Sequence, residues 1–389
     1  MQITKTVRLY LTDEQRVIVV GMMNEFIRKA NDLVKLHLSG TSIERYTTKM
    51  LDANLPSNIK NPCIRCAKSI VKKYEKELWK CNKRKEKGFT DVKEPTVPVL
   101  RKPFCQIDNR NFKFKGEFLE IPVWENEKVH RIAIKTKVTE EQRKLFEGRK
   151  PGEPRIVYLG RKIVIQIPYE VAEAEEREDG NVMGVDLGLK CPAVSYISDG
   201  TVKFYGNGRQ NKYIRRRFSG IRKALQEKKH IAVVKRRGDK EQRIMKNIDH
   251  HISREIVNDA IEHNVSVIKL ENLKNLRSRI SDAKKRRRKY NRKNNHSIHS
   301  WSFYRQALYI QYKAKLAGIK VVFVDPAYTS QICPKCGRIN KADDRNYVCE
   351  CGYHVHRDLL GAINICNSTE IVTKGKKKKT EPKAEDAQK

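Results

Sequence analysis

The sequence predicts a mixed α/β protein in two parts: a small N-terminal β-barrel interrupted by helices, and a C-terminal α/β domain with a cysteine ribbon set into it. Three observations carry this. From about 95 to 170, short strands alternate with Gly, Asn and Pro turns, at Phe112–Phe114, Phe118–Ile121, His130–Ile134, Arg155–Leu159 and Lys162–Ile167. Later come the strands Val182–Asp186, Ala193–Ile197 and Val202–Tyr205, then two buried strands, Val265–Leu270 and Lys320–Asp325, with helical sequence between them. Finally, Cys333–Pro–Lys–Cys336–Gly and Cys349–Glu–Cys351–Gly form two close pairs.

Each element has a local reason. Residues 3–11 alternate apolar and polar and read as the first strand. Thr12 and Gln15 have the spacing of a capping box, so a helix starts there. Its apolar stripe is Val19, Met22, Met23, Phe26, Ala30, Leu33 and Val34. A second helix spans about 62–84. An acidic linker, Glu173–Asp179, separates the two parts. Residues 208–262 are helical and very basic, 284–293 are almost all Lys and Arg, and Trp301–Leu316 has amphipathic helical spacing. The tail beyond 370 is charged and poor in apolar residues, the composition of disorder.

The chain has 389 residues, 39% of them hydrophobic, which is enough for two or three cored domains. Its 83 Lys and Arg against 46 Asp and Glu give a formal net charge of +37. An excess of that size repels itself unless a polyanion is bound, so nucleic acid is the expected partner. No signal-peptide pattern opens the chain, and no apolar run approaches the about 20 residues a membrane span needs. With ten scattered or paired cysteines, a reducing cytosolic setting is expected.

Four thiols in two pairs suit a tetrahedral Zn²⁺ with Zn–S bonds of about 2.3 Å. Gly337 and Gly352 follow the pairs and allow the chain to turn under the metal. Three acids stand where one site is plausible. Asp186 closes a strand, Glu271 ends another, and Asp358 begins a helix just after the ribbon. Clustered carboxylates repel one another, and a bound cation makes the cluster cheap. Mg²⁺ prefers such oxygen ligands, and a two-ion site can activate water and stabilise a leaving 3′ oxygen. Metal-assisted hydrolysis of nucleic acid is the resulting expectation.

Other groups read more plainly. Cys63 and Cys66 sit in a helical pattern with no second pair nearby, as buried thiols. His354 and His356 flank a quartet that is already complete, and His250–His251 lies in a basic helix. Trp301, Phe303 and Tyr304 have helical core spacing, although aromatics can also stack on bases.

Gly184–Val–Asp186–Leu–Gly188, Lys269–Leu–Glu271–Asn–Leu273, Tyr328–Thr–Ser–Gln331–Ile–Cys333–Pro–Lys–Cys336–Gly337 and Cys349–Glu–Cys351–Gly–Tyr353–His–Val–His–Arg357–Asp358–Leu–Leu–Gly361–Ala362–Ile–Asn364–Ile365 together resemble the TnpB family of transposon-encoded RNA-guided nucleases, relatives of compact type V CRISPR effectors. The match is dense over about 180–366. One departure is the second cysteine pair, Cys-x-Cys in place of Cys-x₂-Cys.

The resemblance implies an RNase H-like (RuvC) nuclease domain over 180–328 and 352–370, with an inserted Cys₄ zinc ribbon at 329–351. A wedge-like β-barrel would occupy 1–11 and 91–172, with a helical recognition insertion at 12–90 and a disordered basic tail at 371–389. Asp186, Glu271 and Asp358 would be catalytic and bind Mg²⁺, while Cys333, Cys336, Cys349 and Cys351 would bind a structural Zn²⁺. The partners implied are a guide RNA and target DNA bearing a short adjacent motif, with no membrane partner and a monomer in preference to a dimer. The setting would be a prokaryotic cytoplasm, on the nucleoid when DNA is bound. A compact CRISPR effector, or a guide-dependent repressor that does not cleave, are the alternatives.

Overall fold

In the computed structural model, residues 1–140, 142, 151–273, 300–342 and 345–369 are described. They fall into two compact units, Met1–Val171 and Ala172 onward. The basic run 284–293 and the tail expected to be disordered lie outside the described residues.

In the first unit, β1 (Gln2–Tyr10) leads into α1 (Asp13–Leu38) and α2 (Ser57–Glu86). Then follow β2 (Phe104–Gln106), β3 (Lys113–Lys115), β4 (Phe118–Glu125), β5 (Lys128–Thr136), β6 (Arg155–Leu159) and β7 (Lys162–Glu170). The strands join in the order β2-β6-β7-β1-β5-β4-β3, every pair antiparallel. β1 changes partner midway: Gln2–Arg8 pair with β7, and Leu9–Tyr10 with β5. The alternation read in β1 buries Val7 and Leu9. They join Ile121, Ile134, Ile165 and Ile167 in a core shared with Met23, Phe26 and Ile59 of the two helices.

The capping box at Thr12 forms as its spacing requires, with Thr12 accepting from the Gln15 N–H and Gln15 reaching back. All seven stripe residues of α1 are buried. α2 starts five residues before the expected 62, although Pro62 then lies inside the helix. A proline has no N–H to offer the carbonyl four residues earlier. That carbonyl, on Asn58, accepts instead from the Asp108 N–H at 3.2 Å. The helix passes through its proline because another segment satisfies the freed acceptor.

The second unit holds β8 (Asn181–Asp186), β9 (Ala193–Ile197), β10 (Val202–Tyr205), α3 (Gly208–Glu227), α4 (Ile231–Arg237) and α5 (Lys240–Glu262). After these come β11 (Val265–Glu271), α6 (Phe303–Leu316), β12 (Lys320–Val324), the hairpin β13 (Asn346–Val348) and β14 (His354–His356), and α7 (Arg357–Asn367). The main sheet has the order β10-β9-β8-β11-β12. β8, β11 and β12 are parallel, and β9 runs against β8 and β10.

Strand period two sorts the side chains. Met183, Val185, Ile268 and Leu270 pack with Ile256 and Val257 of α5 and Ile310 and Ala314 of α6. Gly184, Asp186, Lys269 and Glu271 therefore point to the opposite face, where α7 lies. A polar seam also joins α5 to α6. Arg305 Nε donates to buried Asp249 at 2.7 Å, and Lys313 Nζ donates to the His250 carbonyl and to Ser253 Oγ, each at 2.6 Å. Burial, with Arg254 nearby, draws Lys313 down to about 8. Of the three aromatics expected in the core, Phe303 is buried and Trp301 packs against the core. Tyr304 is 59% exposed, because a helix position next to Phe303 turns about 100° away from it.

Candidate active site

α7 runs antiparallel to β8 and almost touches it. A Cβ on Gly184 would lie 2.2 Å from the Ala362 carbonyl oxygen and 2.4 Å from the Cys366 nitrogen. Cys366 Sγ donates to the Val182 carbonyl at 3.2 Å. Lys269 Nζ donates to the carbonyls of Cys366 and Ser368 at 2.7 and 2.9 Å, placing a cation where the helix dipole is negative. At the other end, His356 Nδ1 accepts from the Asp358 N–H at 3.3 Å and caps the helix. His356 also meets Phe204 edge-on, with ring centroids 5.5 Å apart.

This clamp brings the three expected acids together. Val185 pairs with Leu270, so Asp186 and Glu271 stand one step further along the same register of adjacent parallel strands. Asp186 Oδ2 lies 3.1 Å from where a Gly361 Cβ would be, one turn beyond Asp358 on α7. Burial first, then the charges of Glu271 and Asp358, hold the Asp186 carboxyl well above its ordinary value, against Arg357 and Arg345. Burial also raises Glu271, which a hydrogen bond from Thr329 opposes. Asp358 is held differently: Arg345 Nη1 donates to both its oxygens, at 2.6 and 2.8 Å.

Gly184→Ala should therefore be severe. The atoms it meets are backbone, so α7 itself must move. Overpacking of this kind costs about 1–3 kcal/mol or more, and chemical denaturation would register the loss. Wild-type stability in that variant would contradict the packing described.

The four cysteine sulfurs all lie within 4.8 Å of one another. The Cys333–Cys351 and Cys336–Cys349 sulfur pairs are 3.6 and 3.5 Å apart. Sulfurs around a tetrahedral zinc with bonds of about 2.3 Å stand roughly 3.8 Å apart, so the quartet fits zinc, short second knuckle included. Gly337 and Gly352 take φ of +73° and +81°, as the knuckles require. Burial raises the Cys333 thiol, but backbone N–H groups of Cys336 and Lys335 outweigh it and bring it to about 6. Little apolar core supports this module; its buried residues are Cys333, Tyr347, Cys349 and Leu360.

Cys63 and His250 have local partners. Cys63 donates to the Phe26 carbonyl at 3.4 Å, and burial pushes its thiol up to about 12. His250 stacks on Tyr309 at 3.9 Å. Sequence reasoning gave no role to Lys269, Thr329 and Asn364, which lie within the quoted motifs, and did not single out Arg345. Lys269 had a visible signal, as the one charge inside a nearly all-apolar strand.

The Cas12f1-like, TNB domain family model matches residues 303–365. The chain is 27% identical over 274 residues to the TnpB-like protein MJ0751 of Methanocaldococcus jannaschii, spanning 67% of this chain and 94% of that protein. It is 30% identical over 206 residues to the CRISPR-associated endodeoxyribonuclease Cas12f1 of Sulfoacidibacillus thermotolerans, spanning 47% of this chain and 44% of that protein. Among solved structures, the Cas12f1 chain of a cryo-EM Cas12f1–sgRNA–target DNA complex aligns with a TM-score of 0.55 at 15% identity, over 94% of this chain and 99% of that chain. That likeness is one of fold. Together with the motifs over 180–366, these matches make the chain similar to TnpB-like proteins and to Cas12f1.

Proposed function

We propose that this protein is an RNA-guided DNA endonuclease of a transposable element, cutting target DNA beside a short adjacent motif by Mg²⁺-dependent hydrolysis. The observation that carries the reading is the convergence of Asp186, Glu271 and Asp358 at one end of the second unit's sheet. The sheet order, with its second strand reversed, supports an RNase H-like (RuvC) assignment. Asp186, whose proton affinity burial and the charges of Glu271 and Asp358 raise, forms with those two acids a hard-oxygen donor set, and Mg²⁺ fits it. When bound there, the metal would polarise the scissile phosphate and make water a competent nucleophile.

The chain's own part is positional. Asp186, Glu271 and Asp358 would hold the metal, and the clamp of α7 on β8 would fix their spacing. Arg345, on two oxygens of Asp358, would give ground as metal binds. The first unit's antiparallel sheet and paired helices would serve as a barrel-like wedge with recognition helices, holding guide RNA and its heteroduplex with DNA. Base pairing would then select the target, as in RNA-guided effectors. The complete acid set favours cleavage over a repressor that only binds.

The protein should copurify with RNA whose extracted sequence includes a guide. Supplied with matched DNA and Mg²⁺, it should cut. Binding without cuts, unchanged in Asp186→Ala, would sink the nuclease reading. Separately, bare-protein RNA affinity should fall by about 10³–10⁵ between 50 and 200 mM salt if six to ten phosphates are neutralised. A shallow salt slope in a filter-binding series would contradict the polyanion argument.

A further inference from the structure

Glu271 is held by a residue that no motif reasoning assigned a role. The Thr329 hydroxyl, 8% exposed, donates to Glu271 Oε1 at 2.5 Å. The Pro326 carbonyl lies farther off, at 3.3 Å. A hydroxyl has one proton to give, and the nearer, charged acceptor takes most of it. Fixing one oxygen sets the rotation of the whole carboxylate.

Thr329 is itself held from α7. Asn364 Nδ2 donates to the Thr329 carbonyl at 2.7 Å and to the Ile332 carbonyl at 2.8 Å, using both its protons. Between those anchors the chain turns tightly, and the N–H groups of Gln331 and Ile332 both reach the Tyr328 carbonyl. Tyr328 takes φ +59°, a left-handed conformation that an aromatic residue adopts only under constraint. Its side chain is exposed. The constraint aims Thr329.

We infer that Thr329 and Asn364 are positioning residues that tie Glu271 of β11 to α7, the helix that carries Asp358. One chain of hydrogen bonds, Asn364 to Thr329 to Glu271, thereby links Glu271 to the helix that carries Asp358. Outer-shell partners of this kind are typically worth about 10–100-fold in metal affinity or activity. The inference rests on the nuclease reading above.

The test uses the zinc-loaded full-length chain as wild type, Thr329→Val and Thr329→Ser. Valine keeps the shape and removes the hydroxyl, while serine keeps the hydroxyl. In the RNA complex, Thr329→Val should raise the Mg²⁺ concentration for half-maximal cleavage about 10–100-fold. In the RNA-free chain it should weaken Mn²⁺ binding, followed by the electron spin resonance of free Mn²⁺, to a similar degree. Thr329→Ser should restore both, with all melting temperatures close to wild type. Wild-type metal dependence in Thr329→Val would overturn the inference. So would a serine variant as impaired as the valine one, since that would mark a packing role. Asp186→Ala runs alongside: if it still cuts, the nuclease reading has failed, whatever Thr329 does.

Discussion

Replacing Asp186 with asparagine should raise the melting temperature of the protein in magnesium-free buffer at neutral pH, while ending cleavage. Burial and the neighbouring charges of Glu271 and Asp358 hold its carboxyl well above the ordinary value. An acid whose pKa is higher in the folded state takes up protons on folding. Its favourable contribution is complete below the unfolded aspartate value of about 3.9 and is lost as pH rises through the folded value. Above that window the folded protein must either hold an extra proton or tolerate a buried charge among like charges. Glu271 adds to the loss with the same sign. Stability should fall with rising pH by up to about 1.4 kcal/mol per unit for each such group. Asparagine removes one of them and part of the slope. At about 2–4 °C per kcal/mol for a domain of this size, a shift of several degrees is expected. Melting curves across pH, with zinc retained and magnesium omitted, would check it. A lower melting temperature for Asp186→Asn would show that the acid is structural.

Cys349→Ser should disconnect the ribbon from the acids. Structural zinc supplies about 10–16 kcal/mol in small zinc-finger peptides, far more than four buried side chains could replace. Arg345 directly precedes β13, and its carbonyl accepts from the Arg357 N–H at 2.6 Å. Losing the hairpin would therefore release the guanidinium from Asp358 and loosen the start of α7. Zinc content by atomic absorption should drop, and cleavage should fall at least tenfold while guide-RNA affinity changes little. Equal loss of RNA binding would mean that the ribbon supports the whole chain, not the acid site.

Much of this architecture was legible because its signals are local. The capping box at Thr12 and Gln15 needs only four residues to declare a helix. The runs ending in Asp186 and Glu271 read as strands, the second of them buried, and strand parity places their acids on one face. The cysteine spacing foretold a cluster that the chain does assemble. What could not be read depends on distant partners. Arg345 finds Asp358 only through the register of β13 on β14. α2 runs through Pro62 only because Asp108 satisfies Asn58. Thr329 was visible as part of a motif, but its task depends on a turn that Asn364 pins from another element. β2 was missed because a strand of three residues carries no periodicity.

The central claim is that Asp186, Glu271 and Asp358 form one metal-dependent cutting centre. Single-turnover cleavage of guide-matched DNA, with and without Mg²⁺, by wild type, Asp186→Asn, Glu271→Gln and Asp358→Asn at equal bound RNA tests it most directly. Wild type should cut only with Mg²⁺, and each variant should retain its RNA but lose at least about a thousandfold in rate, roughly 4 kcal/mol of barrier. A variant of any of the three that cuts at the wild-type rate would contradict the account.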